Sequence, residues 1–224
     1  MLRPFISFTV LFFLILGVPI QAYSNDLKNP TALVDNAPFT GDLQGMVKRR
    51  IVRVLTVYGP GRYYLDNGAK GVTAEYASRL EKVINESFDT GHLKVAVFVL
   101  PMARDELFLA LEQGRGDIII AGTTITQARE QQAAFTIPSS KPLKEILVTG
   151  PSAPPINSID DLSGKSVYLR ASSSYSDSIT RLNERFTQEG KVPVSLEPMS
   201  ELLEDEDLIE MVDAGLLPWT IVDD

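Results

Sequence analysis

DIIIAGTTITQAREQQAAFT, Asp117 to Thr136, is the stretch on which the fold turns. The apolar run Ile118 to Ala121 reads as a buried strand. It stops at Gly122, Thr123 and Thr124, and Arg129 follows in a polar segment. A strand that ends in hydroxyls with a guanidinium close behind has two readings. One is ordinary loop chemistry; the other is a pocket floor that passes a small anion from a strand end to an arginine.

Upstream, RRIVRVLTVYG (Arg49 to Gly59) is rich in β-branched residues and ends at Gly59-Pro60-Gly61, a strand followed by a loop. Gly71-Val72-Thr73 opens a helical pattern through Ala74, Ala77, Leu80, Val83 and Ile84. HLKVAVFVLP (92–101) is a second strand, and a helix from about Arg104 to Gln113 ends at Gly114. Strands alternating with helices predict a parallel sheet covered on both faces, with ligands held beyond the carboxyl ends of the strands. Thr123, Thr124 and the loop after Val57 fall at those ends.

Downstream, KEILVTGPSAPPINSIDDLSG (144–164) carries a short strand and then Gly and three prolines, the composition of a hinge. The pattern then restarts: strand KSVYLR and serines, a helix to Gly190, strand VPVSLEP, a helix to Gly215, and a last strand LPWTIVDD. The expected organisation is a leader (1–24), a linker (25–45), a first α/β lobe (46–146) and a shorter second lobe (147–224).

The leader reading rests on Arg3, the apolar run Phe5 to Val18, the Gly17 and Pro19 breaks, and Ala22-Tyr23-Ser24 as a small-x-small cleavage pattern. An uncleaved anchor is the alternative, although the run is short of the ~20 residues of a membrane span. The chain has no cysteine, so it offers no lipid-attachment site, disulfide or thiol nucleophile. With a formal net charge of −8 it lacks the basic balance that a nucleic-acid partner requires. Periplasmic export, without a lipid anchor, is the expectation.

Several motifs together resemble the type II periplasmic solute-binding proteins, family 3, the class that takes up polar amino acids. DIIIAGTTITQARE is similar to the family's strand–turn with Ile-Thr-x-x-Arg, IDDLSGKSVYLRASSSY to its second-lobe entry, and DLIEMVDAG with TIVDD to its closing helix, strand and aspartate. The likeness runs from about Arg50 to Asp224. YYLDNGAKGVTAEYASRLEKVIN, PMARDELFLALEQGRGDI and EMVDAGLLPWTIVDD resemble more narrowly the solute-binding module of the membrane-bound lytic transglycosylase F family. The implied fold is α/β and two-lobed. In that family the chain returns from the second lobe to complete the first. This sequence reaches Asp224 before such a return, so the second crossover and the C-terminal part of the first lobe are expected to be missing, with marginal stability or poor ligand affinity as the consequence.

The resemblance also implies roles. Arg129 would hold a ligand carboxylate through its planar fork of donors, helped by Thr124 and Gly122; a surface arginine paired with Glu130 or Glu145 is the alternative. Ser172, Ser173 and Ser174 precede a helix whose free N–H groups favour an anion, and equally suit plain helix capping. The family match selects Ser173 and Ser174. Asp223 corresponds to the aspartate that accepts a ligand ammonium, or is a turn residue at a strand end. Tyr58, Tyr63 and Tyr64 lie where the family places an aromatic wall, with Tyr58 and Tyr64 the candidates for ligand contact.

No metal-ligand spacing, phosphate loop or Gly-x-Ser-x-Gly elbow is present, so no cofactor or metal is expected. The acidic run ELLEDED, Glu201 to Asp207, reads as a solvated helix face. Glu86-Ser87 recapitulates the Glu-Ser pair of lytic transglycosylases but lacks its Gly-Leu-Met-Gln companion. The implied function is non-enzymatic binding of a small polar ligand, an amino acid or cell-wall peptide, sensed by a membrane transporter or a cell-wall enzyme. Service as the regulatory module of a peptidoglycan lytic transglycosylase is the alternative. A dehydratase on this fold would need a general acid in the cleft, for which the sequence offers no candidate.

Overall fold

The computed structural model describes residues 37–138, 141–151 and 153–224; the expected leader (1–24) and residues 25–36 of the expected linker lie outside the described residues. The remainder of the linker is not all irregular. Helix α1 (Leu43–Arg49) begins inside it, because Asp42 caps the Gly45 N–H at 2.8 Å.

The first lobe is built on β1 (Ile51–Thr56), flanked in parallel by β4 (Ala96–Pro101) and β5 (Ile118–Ile119) in the order β4-β1-β5. A small antiparallel hairpin, β2 (Tyr64–Leu65) with β3 (Ala69–Lys70), stands apart from it. Five successive β1 side chains are buried, as a central parallel strand covered on both faces requires. Alternation along the strands sorts two cores. Val52, Val97 and Ile118 pack with Leu80 and Ile84 of α2 (Val72–Ser87) and with Met46 and Val47 of α1. Leu55, Leu100 and Ile119 pack with Leu107 and Ala110 of α3 (Leu107–Glu112) on the other face.

Arg53 sits within this apolar run at 1% exposure. Its charge is tolerated because the Asp117 carboxylate, itself inaccessible, accepts from the Arg53 N–H at 2.7 Å and from Arg53 Nη2 at 3.0 Å, and also pairs with Arg49. The Arg-Gly-Asp at 115–117 thus contributes a structural aspartate at the start of β5.

The second lobe holds β6 (Glu145–Thr149), β7 (Ser166–Arg170), β8 (Ser195–Met199) and β9 (Trp219–Asp223), ordered β6-β9-β7-β8. β7 runs parallel to both β8 and β9, whereas β6 is antiparallel to β9 across its whole length. The sheet is mixed rather than wholly parallel, and β6, which the expected boundary after residue 146 divides between the lobes, pairs residue for residue with the last strand. Helix α5 (Ser174–Gln188) covers one face through Tyr175, Ile179 and Phe186, and α6 (Asp205–Asp213) covers the other through Leu208 and Val212.

Both lobes fasten helix to strand with the same device. Asn85 accepts the Val95 N–H and donates to the Val95 carbonyl, and Asn183 does the same for Val194. In each case the asparagine satisfies the backbone just ahead of a parallel strand. The carboxyl ends of the parallel strands thereby carry the loops that form the site.

Candidate functional site

The segments after three strands, β4, β5 and β7, line a cavity of about 200 Å³. Arg104, Asp105, Leu107 and Phe108 come from the segment after β4, Thr123, Arg129 and Gln132 from that after β5, and Ser172 from the loop after β7. The loop after β8 supplies Glu201 and Glu204, which hold the cavity's own residues.

Arg129 lies on α4 (Gln127–Glu130), a single turn capped by Thr126, whose hydroxyl accepts the Arg129 N–H at 3.3 Å. That cap aims the side chain back at its own strand end. Nη1 donates to the Thr124 carbonyl at 2.9 Å, and Nη2 reaches the other lobe, donating to the Ser172 carbonyl at 2.9 Å. The guanidinium carbon stands 5.7 Å from the Phe108 ring centroid, and Phe135 packs against that ring at 6.3 Å. Burial, and then repulsion from Arg104, lower the Arg129 pKa, partly offset by Asp177. A carboxylate entering here would restore the favourable environment that the charge lacks.

Arg104 is the second cation. It donates from Nε to Glu204 Oε1 at 3.1 Å and from Nη2 to Glu204 Oε2, while Nη1 donates to the Ala121 carbonyl at 3.2 Å. The pair joins the lobes and is nearly sequestered, with side chains 11% and 5% exposed. Glu204 also caps α6 in a reciprocal box with Asp207. Glu201 accepts the Ser172 N–H at 3.1 Å and its hydroxyl at 2.5 Å. The Thr123 hydroxyl, on the cavity wall, is buried with no partner, as is Arg62 Nε. Gly122, at φ +59°, accommodates the Arg62 guanidinium, which would stand 2.5 Å from any Cβ placed there.

The candidate residues divide accordingly. Arg129 lines the cavity and donates to the Thr124 carbonyl, whereas neither Gly122 nor Thr124 is on the cavity wall, which Thr123 reaches instead. Among the serines, Ser172 is the one on the cavity wall. Ser173 is buried and turned back, its N–H and hydroxyl donating to the Arg170 carbonyl at 3.2 and 2.8 Å, and Ser174 begins α5 without lining the cavity. Asp223 ends β9 opposite Glu145 and beside Tyr175 and Asp205, away from the cavity lining. Tyr58 is 56% exposed, and neither it nor Tyr64 on β2 lines the cavity; Phe108 supplies the aromatic surface instead.

The acidic run is not a solvated face. Glu204 is buried, Glu201 holds Ser172, and Asp205 accepts from Arg170 Nη2 at 2.5 Å and from the Tyr175 hydroxyl at 2.8 Å. A sequence signal existed in the spacing: Glu204 three residues before Asp207 is a capping pattern, which puts Glu201 to Glu204 ahead of the helix at a strand end. Glu86 and Ser87 close α2 and do not line the cavity, with Glu86 exposed beside Lys82 at 3.9 Å. No helix among the described residues is long and apolar enough to cross a membrane.

Comparison with known proteins is consistent with this geometry. Over 170 residues, 75% of this chain, it is 29% identical to membrane-bound lytic murein transglycosylase F of Shewanella pealeana, and over 175 residues, 77% of the chain, 30% identical to that of Ectopseudomonas mendocina. These matches cover 32% and 33% of the relatives, so the chain spans about a third of the length of the curated relatives it matches. Among solved structures it is similar to the holo arginine-binding protein of T. maritima (TM-score 0.61, 18% identity, covering 81% of this chain and 73% of that one). It is also similar to the ancestral amino acid-binding protein AncCDT-1, a precursor of cyclohexadienyl dehydratase (TM-score 0.59, 22% identity, covering 80% and 73%). At these identities the structures establish the two-lobed fold. The sequence pattern of the bacterial extracellular solute-binding proteins, family 3, matches residues 51–217, most of the chain, and the protein belongs to that family.

Proposed function

We propose that the chain binds a small amino-acid-like ligand, non-enzymatically, between its lobes in the periplasm. The observation that carries this reading is the placement of Arg129. Its guanidinium lines a small cavity at the strand ends, stacked near Phe108 and bridging to Ser172 of the other lobe. A ligand carboxylate there is matched by a planar, partly desolvated cation. Backbone carbonyls of Thr124 and Ser172, now bonded to Arg129, are suited to a ligand ammonium once the carboxylate takes the guanidinium. Closure of two lobes on such a ligand is the motion this architecture supports.

Kinship with the lytic transglycosylases favours a second reading, in which the module senses a cell-wall peptide and regulates a catalytic partner. Both readings share the carboxylate site. A thermal-shift screen of amino acids and peptidoglycan peptides decides between them. A shift with free amino acids alone supports uptake, a shift with cell-wall peptides alone supports regulation, and no shift with either rejects the site.

A further inference from the structure

Glu204 stands toward Arg104 as a ligand's second carboxylate would. Its two oxygens take Nε and Nη2 side-on at the edge of the cavity, from the opposite lobe, in a nearly water-free setting. Its backbone position is fixed by its own role at the start of α6, so the carboxylate is delivered without a flexible tether. The cavity therefore contains two guanidinium groups, of which one is neutralised from within the protein.

We propose that Glu204 is a specificity-determining residue: by occupying Arg104 it restricts the site to ligands with one carboxylate and excludes dicarboxylates. The inference rests on the reading of Arg129 as the carboxylate anchor. A second ligand carboxylate must either displace Glu204, stranding a buried anion, or lie against an already neutral pair with Asp105 nearby. Removing the Glu204 charge leaves Arg104 uncompensated at the cavity wall, and a dicarboxylate then supplies what the protein lost.

L-glutamine and L-glutamate are near-isosteric and differ by one charge, so their affinity ratio, measured by titration calorimetry, isolates the effect. The wild type is expected to favour L-glutamine. Glu204→Gln, which keeps an acceptor for the helix cap, is expected to move the ratio toward L-glutamate by roughly ten-fold or more. Glu204→Ser, a strong cap residue, is expected to act the same way and replaces it if Glu204→Gln does not fold. The double variant Arg104→Gln/Glu204→Gln has no freed guanidinium and is expected to show no such gain. A wild-type preference for L-glutamate, an unchanged ratio in the Glu204 variants, or an equal gain in the double variant overturns the inference while leaving the Arg129 anchor standing. Binding of neither probe by any of these proteins overturns the anchor and this inference with it.

Discussion

The Arg129 guanidinium donates to the Ser172 carbonyl across the two lobes at 2.9 Å, joining the strand end after β5 to the strand end after β7. Together with the bond to the Thr124 carbonyl, that contact orients the guanidinium. Replacing it removes a charge-assisted anchor worth about 2–4 kcal/mol. Arg129→Ala is expected to weaken binding of any amino acid found by screening by about 30- to 1000-fold at 1.4 kcal/mol per decade. Arg129→Lys is expected to recover little, because an ammonium lacks the planar fork that meets a carboxylate bidentately. Calorimetry on the two variants measures this directly.

Ser172 has its N–H and hydroxyl committed to Glu201. Glu201→Ala vacates both donors beside Arg129. The expected result is a ligand carboxylate bound several-fold more tightly, with stability lowered by about 1–2 kcal/mol for the lost hydrogen bonds. Tighter binding with a lower Tm supports competition by Glu201; weaker binding would make it a support for the loop instead.

Fold class was legible because β-branched runs alternate with 3.6-periodic ones, and Arg129 because a strand-end arginine survives any small error in boundaries. What was not legible depended on tertiary pairing. Ser172, Ser173 and Ser174 are one triplet in sequence, and only the turn that folds Ser173 back onto Arg170 decides which faces the cavity. The run Glu201 to Asp207 has the composition of a solvated face, yet its partners Arg104, Ser172 and Arg170 lie up to 100 residues away. The expected boundary after residue 146 cuts through β6 for the same reason: antiparallel pairing with β9 is set by chain path and leaves no local pattern.

Asp117 neutralises Arg53 and Arg49 under the first-lobe core. Asp117→Ala leaves Arg53 uncompensated and is expected to cost about 3–5 kcal/mol, with Asp117→Asn costing less because its oxygen still accepts the Arg53 N–H. Urea denaturation at neutral pH reads both values; near-equal stability of Asp117→Ala and wild type would mean that the ion cluster is solvated on the timescale of folding.

Burial, followed by the neighbouring Asp205 and Glu145 carboxylates, holds the Asp223 carboxyl above its ordinary range. The folded chain then binds this proton more tightly than the unfolded chain, so its contribution to stability is present at low pH and declines as pH rises from the ordinary carboxylate value, near 4, through the raised one. Asp223→Asn is expected to raise Tm at pH 7 and to leave it close to wild type at pH 3. An equal change at both pH values would show that Asp223 is not strained by charge.

The most direct test compares the best ligand from the amino-acid and peptide screen with the same molecule carrying a carboxamide in place of its α-carboxylate, both titrated into the wild type and Arg129→Ala. The account predicts that amidation weakens binding to the wild type by about 100-fold, near 2.7 kcal/mol, and has little effect on the variant, whose anchor is already gone. Equal binding of the acid and its amide by the wild type would contradict it.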